Sequence, residues 1–167
     1  MSNLVQQFVA GLKSRHSEVR RKTARDLCLY VKTELRELPQ DECTSFLDDF
    51  NHHIFEMVSG NDVNEKKGGV EAIECLITGD IVNTTTRISR YCNYLRNLLP
   101  SSDVSVMERA AQTLVRLALL PCSKGAESVE FDLKRAFEWL SASERNEGKR
   151  HAAVLVLREL ALSMPTY

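Results

Sequence analysis

The sequence predicts an all-α fold of helix pairs stacked side by side, and three observations carry that reading. Apolar residues recur at helical spacing along nearly the whole chain. Turn-forming residues punctuate that pattern at regular intervals, and two columns of core positions repeat every 41 to 45 residues. Seven Gly and four Pro in 167 residues leave few sites for the many turns of an all-β chain.

The elements follow in order. Residues 2–14 carry Phe8 and Leu12 one turn apart, and residues 18–37 carry Ala24, Leu27, Cys28 and Val31 on one face before Pro39 ends the run. Residues 40–58, with Phe50 and Ile54, stop at Ser59-Gly60-Asn61. Asp62 followed by Glu65 reads as an N-cap and N3 pair opening residues 64–77, which end at Gly79-Asp80. Residues 85–99, with Tyr91 and Leu95, stop at Pro100-Ser101-Ser102; residues 104–120 stop in the Pro- and Gly-containing stretch 121–125. Residues 126–140 and 144–163, split by the polar stretch 141–143, complete eight expected helices with no convincing strand.

Ala24, Gly69, Ala111 and Ala153 stand 45, 42 and 42 residues apart. Leu27, Ala72, Leu114 and Val156 follow three residues on, Cys28, Ile73, Val115 and Leu157 four on, and Val31, Leu76, Ala118 and Leu160 seven on. All but Gly69 are apolar, well above the 43% of the whole chain. A second column, Phe8, Phe50, Tyr91 and Leu133, has i+4 partners Leu12, Ile54, Leu95 and Phe137. Two helices per unit at this period is the pattern of HEAT or armadillo-type repeats. The small residue heading each second helix lets a neighbour approach, and the polar pairs before it (Arg20-Arg21, Glu65-Lys66, Glu108-Arg109, Lys149-Arg150) form inter-helix corners. The expected architecture is an armadillo-like α-solenoid segment over 1–167, with repeats at about 1–37, 38–79, 80–121 and 122–167.

Charge is balanced, 22 Lys and Arg against 23 Asp and Glu, so bulk electrostatics favour neither nucleic acid nor an anionic membrane. No apolar run approaches the roughly 20 residues of a membrane span, and the N-terminus lacks a secretory leader. Five cysteines without a CxxC spacing fit reduced thiols in cytosol or nucleus, with Cys28 and Cys92 read as packing residues. The sequon Asn83-Thr84-Thr85 is then expected to stay unmodified.

Catalytic templates fail at identifiable positions. The stretch 60–66 has Glu65 where a P-loop needs its second Gly, Asp49-Phe50-Asn51 matches a kinase DFG only superficially, and no GxSxG elbow occurs. His52 and His53, with Glu56 a turn on, point about 100° apart on a helix and suit a metal poorly. No catalytic residue, metal ligand, cofactor or small-molecule substrate is therefore expected. Lys13, Arg15, Arg20, Arg21, Lys22 and Arg25 form a basic run in which Arg21 and Arg25 share a face. Without interleaved aromatics it reads as a solvated corner or a contact for acidic protein, ahead of nucleic acid.

Several long stretches carry a resemblance: QQFVAGLKSR from Gln6, YVKTELREL from Tyr30, NHHIFEMVS from Asn51, DVNEKKGG from Asp62, NYLRNLLPSSDVSVME from Asn93 and RNEGKRHAAVLVLRELALSMPTY from Arg145. Together, in order and nearly end to end, they resemble the extreme N-terminus of the target-of-rapamycin (TOR) protein kinases, in an animal or insect form. The resemblance implies a non-catalytic opening stretch of a long HEAT solenoid, with the serine/threonine kinase domain far beyond it. It also implies partners: raptor in TOR complex 1, rictor-type subunits in complex 2, a Rheb-type small GTPase, and further HEAT repeats of the same chain. The implied setting is cytoplasmic growth signalling, with recruitment to lysosomal or other endomembranes, and with the nucleus as a second location. For partner contact the corner at 93–105 is the expected place, through Asn93, Tyr94, Arg96, Asn97, Pro100, Ser101 and Asp103, together with Arg21 and Arg25 of the basic run. The competing reading is a free-standing HEAT adaptor, or a basic-corner solenoid that binds nucleic acid or phosphoinositide. In the last helix Val154, Leu155 and Leu162 are expected to point away from the repeat stripe, so that the solenoid continues past Tyr167.

Overall fold

A computed structural model describes residues 2–82, 84–101 and 103–164. Asn83 of the sequon, Ser102 of the 93–105 corner, and Pro165, Thr166 and Tyr167 of the last matching stretch lie outside the described residues. Among the described residues all regular structure is helical: α1 (Ser2–Leu12), α2 (Ser17–Lys32), α3 (Glu34–Glu37), α4 (Gln40–Ser59), α5 (Val63–Thr78), α6 (Thr85–Leu98), α7 (Val104–Ala118), α8 (Gly125–Ser141) and α9 (Glu147–Ser163). The expected all-α class of stacked helix pairs is the one observed. The chain forms two compact units, Met1–Val82 and Asn83–Tyr167.

Two helix boundaries differ from expectation by three residues or more. The single helix expected over 18–37 breaks at Thr33, whose hydroxyl and N–H both donate to the Leu29 carbonyl, at 2.7 and 3.0 Å. A side-chain donor competing for a helix carbonyl loosens the next turn. The chain then restarts as the one-turn α3, which buries Leu35. The final helix begins at Glu147 rather than Glu144, because the Asn146 side chain accepts from the Lys149 N–H at 3.0 Å and fixes the start there.

In the first unit α1 pairs with α2 and α4 with α5. The pairs stack through α2 on α5 and α1 on α4, the two-layer contact pattern of an α-solenoid. Leu12, Leu27, Val31, Phe50, Ile54, Ile73 and Leu76 from both repeat columns are buried. Phe8, Tyr30, Phe46 and Phe50 run through this core as successive ring contacts 5.3–5.7 Å between centroids. Gly68 marks the closest approach: a Cβ there would collide with the backbone carbonyl of Leu12, which cannot swing away as a side chain can. The Asp62 cap forms as expected, its carboxylate accepting from the Asn64 and Glu65 N–H groups at 2.8 and 3.1 Å.

In the second unit α6 pairs with α7 and α8 with α9, and the pairs stack through α7 on α9. Tyr91, Leu95, Ala111, Leu114, Val115, Ala153 and Val156 are buried as their columns require. Two column positions on α8 depart. Leu133 is half-buried and Phe137 is 59% exposed, correcting the expectation that Phe137 is core. Within this unit α8 lies against α9 and α7, and neither covers the face that carries Phe137.

Candidate interaction surfaces

The residues singled out in the sequence fall into two groups in the structure, those turned to solvent and those already engaged within a unit. The 93–105 corner spans the end of α6, the Leu99–Asp103 connection and the start of α7. Asn93, Asn97 and Pro100 are exposed. Tyr94 is half-buried, its ring edge-on to Tyr91 at 6.1 Å, and burial raises its phenol pKa. Ser101 and Asp103 hold the helix start together. The Ser101 hydroxyl accepts from the Asp103 N–H at 3.3 Å, and the Asp103 carboxylate accepts from the Val106 N–H at 3.0 Å and the Ser105 hydroxyl at 2.6 Å. They shape the corner more than they present it.

Arg96 is turned inward, with its side chain only 14% exposed. Its Nε and Nη2 donate to Asp132 on α8, Nη2 also reaches the Ser128 hydroxyl at 2.9 Å, and Nη1 donates to Asn93 at 3.4 Å. The guanidinium carbon lies 4.6 Å from the centroid of the Phe131 ring. Burial works against its charge, but the bond and charge of Asp132 outweigh burial and raise its pKa. With its donors committed to α8 and to Asn93, Arg96 joins two helices.

The basic run is also divided. Arg21, Lys22 and Arg25 are exposed on α2, and Arg21 pairs with Glu18 at 3.3 Å. Arg20, grouped with them in the sequence, is 5% exposed and donates to the Ser14 carbonyl at 2.8 Å and to Asn64 at 3.2 Å. It braces the α1–α2 turn against α5 and leaves the cationic surface smaller than the sequence run implies. His52 and His53 each contact Glu56, at 3.4 and 3.3 Å, with their rings 5.9 Å apart and inclined at 61°. Among the described residues no group of three or more His, Cys, Asp and Glu side chains has a geometry that could hold a metal ion.

The feature the sequence only half revealed is apolar. Phe131, Phe137 and Leu140 of α8 are exposed, as are Val154 and Leu162 of α9, at 53% and 71% for the last two. Leu155, expected beside Val154 on the outer face, is 3% exposed and belongs to the α9 core stripe. Two adjacent helices thus carry large apolar side chains into solvent. The signal available in the sequence was Val154 and Leu162, which fall off the repeat stripe of α9; nothing in the sequence marks Phe137 as uncovered. Among the described residues no helix is long and apolar enough to cross a membrane.

No family model matches the chain. It is 56% identical over 99% of its length to the serine/threonine-protein kinase mTor of Drosophila melanogaster. It is 38% identical over 96% to the serine/threonine-protein kinase tor1 of Schizosaccharomyces pombe, and 30% identical over 82% to the serine/threonine-protein kinase TOR of Arabidopsis thaliana. The chain spans about 6–7% of the length of these relatives.

Proposed function

Because the chain corresponds to the N-terminal HEAT-repeat region of the TOR kinases, in an animal form, we propose that it is a non-catalytic scaffold segment of such a kinase. Its role is to present helix faces to protein partners and so contribute to assembly of the TOR complexes. The observation that carries this reading is the exposure of Phe137, Leu140, Val154 and Leu162 on the packed pair α8 and α9. Burying a fully exposed apolar side chain of that size is worth about 1.5–3 kcal/mol, and these partly covered residues have a share of that left to gain from a partner. Neighbouring HEAT repeats of a full-length kinase or a raptor-type subunit would supply such cover. Exposed Asn93, Asn97 and Pro100 offer a further contact at the corner between α6 and α7. Arg21 and Arg25 suit an acidic protein surface, with a Rheb-type GTPase and rictor-type subunits as further partners of the assembled kinase. The setting is cytoplasmic growth signalling, with endomembrane recruitment through the complex.

The test is made in a full-length kinase. Phe137→Glu with Val154→Glu should lower the amount of raptor-type subunit that co-purifies per kinase, read by quantitative mass spectrometry. The turnover of a short peptide substrate should stay unchanged. Undiminished subunit stoichiometry would remove the raptor-type subunit as the partner of this face.

A further inference from the structure

We propose that Cys28 and Cys75 are a peroxide-responsive thiol pair that closes to a disulfide joining α2 to α5. The two sulfurs lie 2.6 Å apart on directly packed helices, from residues 47 apart in the chain. Both thiols are free, Cys75 buried and Cys28 half-buried, so a small oxidant reaches Cys28 first. The other cysteines lie elsewhere: Cys43 on α4, Cys92 on α6 and Cys122 in the turn after α7.

The surroundings give the two sulfurs different roles. With both protonated, Cys28 donates to Cys75, and Cys75 donates to the Ala24 carbonyl at 3.1 Å. When Cys28 ionises, the single Cys75 proton turns from Ala24 to the new thiolate. That bond, with the positive charge of Lys32 one turn along α2, lowers the Cys28 pKa despite partial burial. The same bond, then burial, raises that of Cys75. Cys28 is therefore the attacking thiolate and Cys75 the resolving thiol.

The chemistry balances with hydrogen peroxide as the oxidant. The Cys28 thiolate attacks one peroxide oxygen, the O–O bond breaks, and hydroxide leaves, with Cys28 now a sulfenic acid. The Cys75 sulfur then attacks the Cys28 sulfur. The S–O bond breaks, and the hydroxyl departs as water with the proton of Cys75. One peroxide is reduced and two thiols are oxidised, while the hydroxide takes up the proton first released by Cys28. The disulfide closes a long loop and pins the two repeat pairs of the first unit to each other.

The folded chain is treated with hydrogen peroxide, remaining thiols are alkylated, and the digest is analysed by mass spectrometry. The expected product is a Cys28–Cys75 linked peptide that dithiothreitol reverses, with a higher melting temperature for the oxidised chain. In Cys75→Ser, Cys28 should stop at a sulfenic acid that dimedone captures. Alkylation of both Cys28 and Cys75 after peroxide has consumed exposed Cys122 would overturn the proposal. So would Cys28 recovered chiefly as sulfinic acid or linked to another cysteine. The wild-type digest decides the question even if the serine variant does not fold.

Discussion

Arg96 on α6 and Asp132 on α8 form a two-pronged ion pair, Nε to Oδ1 at 2.8 Å and Nη2 to Oδ2 at 3.0 Å, with the Asp132 side chain only 7% exposed. A planar guanidinium matched to a carboxylate fixes direction as well as distance, so the pair sets how α8 lies relative to α6. Removing one partner strands the other charge out of water. Arg96→Met should therefore cost about 3–5 kcal/mol in urea unfolding. Adding Asp132→Leu should recover most of that loss, since a well-packed apolar pair often equals a buried ion pair. A single variant as stable as wild type would show that water reaches Asp132 freely.

Neighbouring arginines in the basic run should behave oppositely. Arg20→Ala deletes two hydrogen bonds within the first unit and should destabilise it by about 1–3 kcal/mol. Arg21→Glu with Arg25→Glu should change the melting curve little, within about 0.5 kcal/mol, because both side chains are exposed. The double reversal should weaken association with an acidic partner, more at low salt than at high. Thermal melts by circular dichroism separate the two classes.

On α9 the contrast lies between adjacent residues. Leu155→Ala empties a buried site and should cost about 2–5 kcal/mol. Val154→Ala removes exposed methyl groups and should be nearly neutral. Equal losses in chemical denaturation would mean that Val154 is covered in the folded chain.

The repeat columns were legible because core positions in stacked helices must be apolar in every unit, and Leu27, Ile73, Leu114 and Val156 obey that rule. The cap at Asp62 follows from residue type, whereas only the structure shows Asn146 as the cap that delays the start of α9. Phe137 was misplaced because periodicity reports which face is apolar and says nothing of whether another element covers it. Leu155 failed for a related reason: a stripe drawn as i, i+3, i+4 and i+7 is narrower than the face buried between two neighbours. Arg20 and Arg96 read as surface charges in a linear sequence. Their partners, Asn64 and Asp132, are 44 and 36 residues away, and no spacing rule links them. The meeting of Cys28 with Cys75 was hidden in the same way.

The chain should bind no ATP. Phosphoryl transfer requires a phosphate cradle and carboxylates that hold magnesium, and the sequence carries neither motif. Isothermal titration should give only heats of dilution. Saturable micromolar binding displaced by an ATP-site inhibitor would contradict this.

The scaffold reading depends most directly on whether the exposed apolar side chains of α8 and α9 seek a partner. Sedimentation velocity of the chain over a concentration series, beside Phe137→Glu with Val154→Glu and Leu162→Glu, measures that tendency. Wild type should shift to larger species as concentration rises, while the triple variant stays monomeric with the same helicity. Wild type and variant both monomeric and equally soluble at every concentration would contradict the account.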